Sequence, residues 1–506
     1  MNPPTTTGQA GGPALAPPDP VPTSGWDRWF ELTRRRSTMG REVRGGLVTF
    51  VTMAYIVVLN PLIIGTAPDV NGNLIGGGTN VGQAIALVSA ATALVAGVMT
   101  ILMGAIGRFP MAIAAGLGLN SFLAYTIAPQ MTWPQAMGLV VLEGILIGLL
   151  VLTGFRTAVF NAVPESLKYA IGVGIGLFIA LIGLVDAGIV RPGIPLITFG
   201  VNGALRGWPT LVFVIGLILL TILVTRKVRG GILIGILATA VLAIVVEAIV
   251  QVGPLNDGNP DTPNNPVGWA LNVPKVPDQW FSMPDLSLLG QFSLTGAFAA
   301  IGIIPASLAI FSLMLSDFFD TMGTVTGLAH EGDIVEADDS IPHLEPILLV
   351  DSAAAAVGGM ASVSSNTSYI ESAAGIGEGA RTGIASLVTG GLFLLAMFFS
   401  PLVSVIPYEA ATPALVIVGF LMMTQIRKIN FDDYSVGIPA FLTIIIMPFT
   451  YSITNGIGAG IVSHVILQVA TGRGRKVPAL MWIVAAAFVV YFAIDPATTL
   501  LEKITG

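Results

Sequence analysis

The feature that most constrains this chain is a succession of apolar segments, each about long enough to cross a lipid bilayer. They recur from about residue 46 to residue 471, separated by short polar or basic stretches. A bilayer core requires about 20 consecutive apolar residues in helical form. Only 10% of the 506 residues are charged and 54% are hydrophobic, which is outside the usual range of soluble domains. The sequence therefore predicts an all-α polytopic membrane protein.

Fourteen of these segments form two sets of seven on either side of a long polar loop at residues 252–290. They lie at 46–66, 82–105, 111–126, 134–153, 168–188, 208–225, 230–251, 296–322, 345–361, 366–378, 383–406, 411–426, 434–451 and 455–471. We therefore predict a first seven-span repeat over 26–251 and a second over 291–471, joined by an extracytoplasmic loop. Residues 472–506 form a C-terminal segment, whose extra apolar stretch at 478–495 can cross the bilayer or lie at its interface.

The N-terminal region and its charges predict the orientation. Residues 1–25 are rich in Pro, Gly and Thr and are predicted to form a disordered tail without a cleavable signal. Six arginines follow before the first span: Arg28, Arg34, Arg35, Arg36, Arg41 and Arg44. Basic residues next to spans usually stay in the cytoplasm. We therefore expect a multi-pass protein of the cell membrane with a cytoplasmic N-terminus.

The composition also argues against several functions. The chain has no cysteine, so a disulfide framework, a thiolate–metal site or a cysteine nucleophile is impossible. Its three histidines show no metal-binding spacing, and a net charge of −7 gives no basic surface for nucleic acid. No pattern of nucleophile and base indicates an enzyme. We expect a protein without catalysis, metal or cofactor that works within the lipid bilayer.

Two segments, 111–126 and 366–378, are too short and too rich in glycine to cross as plain helices. They are the third and tenth in order, and paired short segments of this kind indicate the binding site of a transporter. Each carries an asparagine, Asn120 and Asn366, followed by a hydroxyl residue and then a tyrosine. An inverted repeat predicts this similarity. We expect brief extended stretches that end at these asparagines, which then cap helices beginning at mid-membrane.

Carboxylates stand inside two of the apolar segments, where a charge costs several kcal/mol. Asp317 and Asp320 lie one helical turn apart in SDFFDTMGT, and Glu371 lies in the tenth segment. Ionisable residues at this depth usually face a cavity or a pathway. Two like charges this close disfavour each other's ionised form, so one of them can hold a proton near neutral pH. The sequence predicts that these stretches bind a solute and a proton.

Five motifs carry a resemblance to a known family. They are TFVTMAYIVVLNP (Thr49–Pro61), GLGLNSFLAY (Gly116–Tyr125), DFFDTMGTVTGLA (Asp317–Ala329), VDSAAAAVGG (Val350–Gly359) and SNTSYIESAAGIGEGARTG (Ser365–Gly383). With these motifs the chain resembles the AzgA-like purine permeases of the nucleobase–cation symporter-2 superfamily from about Trp26 to Ile494. The resemblance implies fourteen spans in two inverted repeats, with helices 1–4 and 8–11 as a core domain and the others as a gate domain. It also implies proton-coupled uptake of adenine, guanine and hypoxanthine.

The resemblance also implies site residues, because the family ties the positions of Asn120, Asp317, Asp320 and Glu371 to binding and transport. A purine base is flat and uncharged, so it requires carboxylate acceptors for its N–H groups and a ring to stack on. The predicted substrate-binding residues are Asn120, Asp320, Glu371, Phe319, Thr367 and Ser368. Asp317, Asp320 and Glu371 are the predicted proton-coupling residues. The proton acts as co-substrate, Na⁺ remains an alternative to it, and a homodimer is possible by fold analogy.

Several of these residues also have a purely structural explanation. Glu371 can cap its helix or pair with Arg381, Asp317 can hydrogen-bond only to nearby backbone, and Asn120 can simply cap a helix. The aromatic side chains can serve packing alone, and the hydroxyl side chains can serve only to hydrogen-bond helix backbone groups: Phe318, Phe319, Tyr369, Ser365, Thr367 and Ser368.

Other polar residues in the apolar segments are expected to be structural. We expect Asp351 to brace the pocket, and Glu143 and Glu247 to form interhelical hydrogen bonds. A lone His464 in the penultimate apolar segment is expected to be a packed polar residue.

Other functions remain open from the residues alone. A permease for uracil, xanthine or an anion can use the same fold, although three acids disfavour an anion. A passive channel would conduct without accumulating its solute. A membrane enzyme would reveal itself by its products.

Overall fold

The computed structural model describes residues 24–153, 163–194, 196–256, 264–277, 279–336 and 340–505. Helices of the first half are α1 (Gly25–Phe30), α2 (Met39–Met53), α3 (Ile56–Ile64), α4 (Val81–Leu102), α5 (Leu117–Phe122), α6 (Trp133–Leu152), α7 (Glu165–Asp186), α8 (Trp208–Thr225) and α9 (Gly231–Val250). Those of the second half are α10 (Gly296–Ile301), α11 (Ile303–Glu331), α12 (Leu344–Met360), α13 (Ala373–Gly377), α14 (Gly383–Ala396), α15 (Ser400–Val403), α16 (Tyr408–Met423), α17 (Tyr434–Thr450), α18 (Ile453–Ala470) and α19 (Ala479–Thr505). Most of the predicted tail, 1–25, lies outside the described residues.

Ten helical stretches within the described ranges are long and apolar enough to cross a membrane. They are Met39–Ile64, Val81–Gly107, Trp133–Leu152, Glu165–Asp186, Trp208–Thr225, Gly231–Val250, Ile303–Glu331, Gly383–Val403, Tyr408–Lys428 and Ile453–Ala470. Two further apolar helices, Tyr434–Thr450 and Ala479–Ala493, are shorter. The chain is therefore a mostly helical multi-pass membrane protein. The ends of the helices fall within a few residues of most predicted segments, but α11 continues well beyond the predicted end at residue 322.

The two short segments meet through a pair of buried strands, β1 (Ile113–Ala115) and β4 (Asn366–Ser368). The strands run antiparallel, with Ile113 opposite Ser368 and Ala115 opposite Asn366. This pairing satisfies backbone groups that have no water to bond at this depth. It confirms that both segments contain a brief extended stretch, although β4 begins at Asn366 instead of ending there. Because the pair lies inside the molecule, it fixes the tips of two broken segments against one another.

The predicted helix caps at the two asparagines are wrong. Helix α5 begins at Leu117 with Gly116 as its N-cap, so Asn120 lies inside the helix. Asn366 is a strand residue, and a 3₁₀ turn follows only at Ile370. Strand pairing across residues 113–115 determines where each helix starts, and the asparagines consequently occupy different positions in the two segments.

A second strand pair corrects the prediction of a purely helical chain outside the short segments. Strands β2 (Val190–Pro192) and β3 (Ile197–Phe199) form an antiparallel hairpin between α7 and α8. The strands contain the β-branched residues Val190, Ile197 and Thr198, and Pro192-Gly193 stands at the end of the first strand, which is typical of a hairpin. The hairpin is largely exposed and lies beyond the end of the α7 span.

Glycines allow several helices to approach very closely. A Cβ added at Gly176 of α7 would overlap the carbonyl of Gly419 in α16, and the reverse substitution would overlap the carbonyl of Gly176. Gly45 of α2 and Gly375 of α13 face each other in the same way. Small residues provide close packing where lipid gives no hydrophobic drive to association. This packing explains much of the high glycine content.

Basic loops come together at one end of the helices, which we call the basic end. Arg34 pairs with Glu336 at 2.9 Å, and Arg44 and Arg229 both pair with Glu378. Further members are Arg108, Lys168, Arg381, Arg427, Lys428 and Arg473. At this end the Arg473 guanidinium donates to the Asp433 carboxylate, which lowers the pKa of Asp433 to about 2. Several of the basic loops are thus linked by ion pairs and hydrogen bonds at this end of the helices.

Candidate functional site

Glu371 receives a hydrogen bond from Tyr55, which is not among the residues predicted for the site. The Tyr55 hydroxyl, between α2 and α3, donates to Glu371 Oε1 at 2.5 Å. Tyr55 is buried, whereas Glu371 is partly exposed at the start of a 3₁₀ turn. The bond fixes the carboxylate and leaves its second oxygen for another donor. Tyr55 lies within the first of the five motifs, and this position is the signal that could have assigned it to the site.

Asp320 presents an open carboxylate in the middle of α11. The residue is exposed, and no described residue forms a hydrogen bond with it. Its charge interacts with those of Glu371 and Asp351. Since an ionisable side chain at this depth faces water rather than lipid, its exposure indicates a water-accessible cavity. The two carboxylates predicted to contact the substrate therefore share one accessible site.

An exposed face of α11 leads from this site toward the basic end. After Asp320 the exposed positions as far as His330 are Gly323, Thr326, Gly327 and His330, at helical spacing. A Cβ at Gly323 would meet nothing within 4 Å, and the same holds for Gly377 on α13. Toward the opposite end of α11, residues 312–318 are all buried. The site is therefore open toward the basic end.

Asp351 is the centre of a hydrogen-bond network beneath the site. It accepts hydrogen bonds from Thr321 of α11 and Ser368 of β4, both at 2.7 Å. The Thr367 hydroxyl lies 3.0 Å from that of Thr321. The network joins α11, α12 and β4, which confirms that Asp351 braces the pocket. The hydroxyls of Thr367 and Ser368 belong to this network, so their contact with a substrate stays a prediction.

Replacing Asp351 by alanine is expected to destabilise the protein by at least about 3 kcal/mol, because two hydrogen bonds to a charged acceptor are lost. Thermal unfolding of the detergent-solubilised protein, followed by size-exclusion chromatography, measures the loss. Asp351→Asn keeps one acceptor oxygen and should lie between this variant and the native chain. Ser352→Ala is the matched control, since Ser352 donates only to the Leu349 carbonyl of its own helix. Equal stability of the two alanine variants would contradict the bracing role.

Asn120 and Asp317 are buried polar residues whose side chains form no hydrogen bond within the described chain, and Asp317 lies next to this network. Both amide atoms of Asn120 and both carboxylate oxygens of Asp317 are unpaired among the described residues, and both side chains are 0% exposed. Thr367, which lies beside Asp317, turns its hydroxyl to Thr321. Unpaired buried groups of this kind call for a bound water, proton or ligand. The proposed backbone bonding of Asp317 is therefore wrong.

Glu143 extends the buried acid group. Its Oε1 accepts from the Ser365 hydroxyl at 3.2 Å, and its Oε2 has no hydrogen-bond partner in the described chain. Asp317 interacts electrostatically with both Glu143 and Asp351. No ion pair between described residues neutralises any of these three acids. Since several uncompensated charges cannot stay together in a buried place, the group favours protonation.

The remaining alternatives are decided by further contacts. Glu371 does not pair with Arg381, which donates to the Ile376 and Ala380 carbonyls at 2.6 and 2.7 Å. The Tyr369 hydroxyl donates to the Ala115 carbonyl at 2.5 Å and holds β1, so Tyr369 is structural.

The two phenylalanines differ in their surroundings. Phe318 is buried and Phe319 is partly exposed, with ring centroids 5.6 Å apart. The Lys168 ammonium lies 5.3 Å from the Phe319 ring centroid. The contact of Phe319 with a substrate therefore stays a prediction, since its ring already contacts Phe318 and Lys168.

Glu247 forms hydrogen bonds with a loop instead of the expected interhelical hydrogen bond. It accepts from the Trp269 indole at 2.7 Å and from the Val252 amide at 3.0 Å, and so anchors the loop after α9. His464 is buried in α18. Among the described residues, no three His, Asp or Glu side chains are placed so that they could together hold a metal ion.

The arrangement defines a class of protein. Two broken segments meet inside a bundle of membrane-spanning helices and place accessible carboxylates at their junction, which is the architecture of a secondary transporter. The chain belongs to the Permease family, whose model matches residues 40–459.

Comparisons with known proteins agree with this assignment. The chain is similar to a putative permease of Methanocaldococcus jannaschii, with 37% identity over 92% of this chain and 98% of that protein. It is similar to the guanine/hypoxanthine permease PbuG of Bacillus subtilis, with 35% identity over 92% and 98%. It is also similar to the adenine permease AdeQ of Escherichia coli, with 33% identity over 91% and 94%. The resemblance to purine permeases carried by the five motifs is confirmed.

Solved structures show the same fold at low sequence identity. The transmembrane domain of the cyanobacterial bicarbonate transporter BicA superposes with a TM-score of 0.53 at 13% identity, covering 85% of this chain and 97% of that one. A murine anion transporter of solute carrier family 26 superposes with a TM-score of 0.54 at 11% identity, covering 86% and 69%. At these identities the likeness concerns the fold alone.

Proposed function

We propose that this protein takes up purine nucleobases together with protons by alternating access. The observation that carries the proposal is the pair of accessible carboxylates, Asp320 and Glu371, at the junction of the broken segments. The names of the relatives, guanine/hypoxanthine and adenine permeases, indicate the substrate class. The proposal includes fourteen spans in two inverted repeats, a core and a gate domain, and a cytoplasmic basic end.

The chemistry of the site fits an uncharged planar base. Glu371, held by Tyr55, offers a free oxygen to an N–H group of the base, and Asp320 offers a second acceptor beside it. Phe319, which directly precedes Asp320 on α11 and is partly exposed, is the proposed stacking ring. A site of this kind rejects analogues that leave its buried polar groups unpaired. Asn120, whose amide has no partner in the described chain, is a further candidate for contact with the base.

Proton coupling follows from the surplus of acids. Asp317, Asp320, Glu371, Glu143 and Asp351 interact with one another as a group of acids within the helices. A proton that joins this group with the base removes a charge that would otherwise have to move through the membrane. Release toward the near-neutral cytoplasm then restores the carboxylate. The alternative is that Na⁺ takes the place of the proton, and the same uptake measurement tests it.

Uptake of labelled adenine, guanine, hypoxanthine and uracil, in cells lacking their own nucleobase permeases, tests the proposal. We expect at least one purine to accumulate above its external concentration and the accumulation to collapse with a protonophore. Persistence with the protonophore but loss without Na⁺ would replace the proton by Na⁺. Accumulation of uracil alone would show that the protein is a pyrimidine permease. Equilibration without accumulation would indicate a channel, and no uptake by correctly inserted protein would overturn the substrate class.

A further inference from the structure

The end of the molecule opposite the basic end contains a pocket of about 340 Å³. Its walls carry Tyr125, Asp186, Tyr408 and Tyr451 together with Thr66 and Ala124. The pocket is far from the basic loops along every helix that contributes to it. Helix α7 runs from Lys168 near its start to Asp186 at its end, and α16 begins at Tyr408 and leads to Lys428.

Two groups of helices meet at this pocket. The site helices are α3 and α5. Helix α5 belongs to the broken segment 111–126, and α3 packs against both α5 and β1. The flanking helices are α7, α16 and α17. Both α16 and α17 pack extensively against α7. The pocket therefore lies on the boundary along which the two groups would separate.

Three hydrogen bonds cross this boundary within the pocket, and we call them the tyrosine latch. The Tyr125 hydroxyl, in the π-helical stretch Leu123–Ile127 that continues α5, donates to Asp186 at 3.2 Å. The Tyr408 hydroxyl of α16 lies 2.6 Å from the Thr66 hydroxyl, just beyond α3. The Thr126 hydroxyl donates to the backbone carbonyl of Tyr451, after α17, at 2.5 Å. Each bond joins a site-helix segment to a flanking helix.

The latch lies on the closed side of the transporter. The substrate site is open along α11 toward the basic end, and the residues of α11 on its other side, 312–318, are buried. A transporter that works by alternating access must be closed on one side when it is open on the other. A few hydrogen bonds are suited to this task, because each shifts an equilibrium by only about 3- to 10-fold and can break in every cycle.

We propose that Tyr125, Asp186 and Tyr408 are positioning residues that hold the transporter closed at the end opposite the basic end. When the latch breaks, the pocket widens into the entrance through which the base reaches Asp320 and Glu371. This inference rests on the proposed alternating access and not on the identity of the base. None of the three residues belongs to the site in which the carboxylates bind substrate.

Single cysteines can test the latch directly, because the native chain contains none. Ala124→Cys reports on the pocket, and Gly323→Cys reports on the open face of α11. The measurement is the rate of labelling by a polar maleimide in detergent, where both ends are accessible. Each reporter is combined with Tyr125→Phe/Tyr408→Phe, which removes two latch hydroxyls. Tyr169→Phe is the matched control, since the Tyr169 hydroxyl donates to Glu165 near the basic end.

We expect the double variant to raise the Ala124→Cys labelling rate at least about tenfold and to lower the rate at Gly323→Cys. Asp186→Ala should raise the pocket rate, and Asp186→Asn, which keeps an acceptor, should raise it less. An unchanged pocket rate in monodisperse double-variant protein would overturn the latch, as would an equal rise in Tyr169→Phe. If both labelling rates change as expected but the protein takes up no purine, the latch would be supported and only the substrate class would be rejected.

Discussion

Replacing Glu371 by glutamine is expected to lower purine uptake at least about a hundredfold, because the site reads its substrate through a carboxylate acceptor. Glutamine offers a single acceptor oxygen, and its amide would point two N–H donors at Tyr55 or at the N–H groups of the base. In the native protein the Tyr55 hydroxyl donates to Glu371 Oε1. The substitution keeps the size of the side chain, so the loss would report on its charge and acceptor pattern.

Initial uptake rates, normalised to the amount of protein in the membrane, measure the effect. Glu331→Gln at the exposed end of α11 is the matched control and should transport normally. Tyr55→Phe removes only one hydrogen bond to the carboxylate, so a loss of about 3- to 10-fold is expected. Normal transport by Glu371→Gln would remove Glu371 from the site, whatever the substrate. Loss of folded protein, seen by size exclusion, would assign it a structural role instead.

The sequence predicted the helices well because lipid imposes a simple rule on each of them separately. A segment such as 208–225 must satisfy its own backbone within the bilayer, so its length and apolar composition suffice to locate the helix Trp208–Thr225. The same local reasoning identified the two short segments, since glycine and length are visible without any partner. The pairing of residues 113–115 with 366–368 then explains why both are extended.

Contacts between distant residues were out of reach of the sequence. Tyr55 and Glu371 are separated by more than 300 residues, and nothing in either stretch indicates their hydrogen bond. The Tyr125–Asp186 bond of the tyrosine latch likewise depends on how α5 packs on α7. The asparagine caps failed for a related reason, because strand pairing overrode the local capping preference at Asn120 and Asn366.

Replacing Asp320 by asparagine is expected to abolish proton-driven accumulation while purine binding weakens by no more than about tenfold, the effect of one hydrogen bond. The Asp320 carboxylate is exposed to the open side and forms no hydrogen bond with any described residue, so its removal leaves the helix contacts of α11 intact. Asparagine still offers an acceptor oxygen to the base. It cannot take up a proton, so the movement of the base would lose its connection to the proton gradient.

Two measurements separate these effects. Stabilisation of the purified protein by adenine or guanine against heat reports on binding, since a ligand that binds only the folded state raises its stability. Uptake with and without a protonophore reports on coupling. Asp333→Asn, an exposed residue just beyond α11, is the matched control and should keep both properties. Stabilisation without protonophore-sensitive uptake would make Asp320 the proton carrier. Intact coupling in Asp320→Asn would transfer that role to Asp317 or Glu371, whose carboxylates lie in the same acid group.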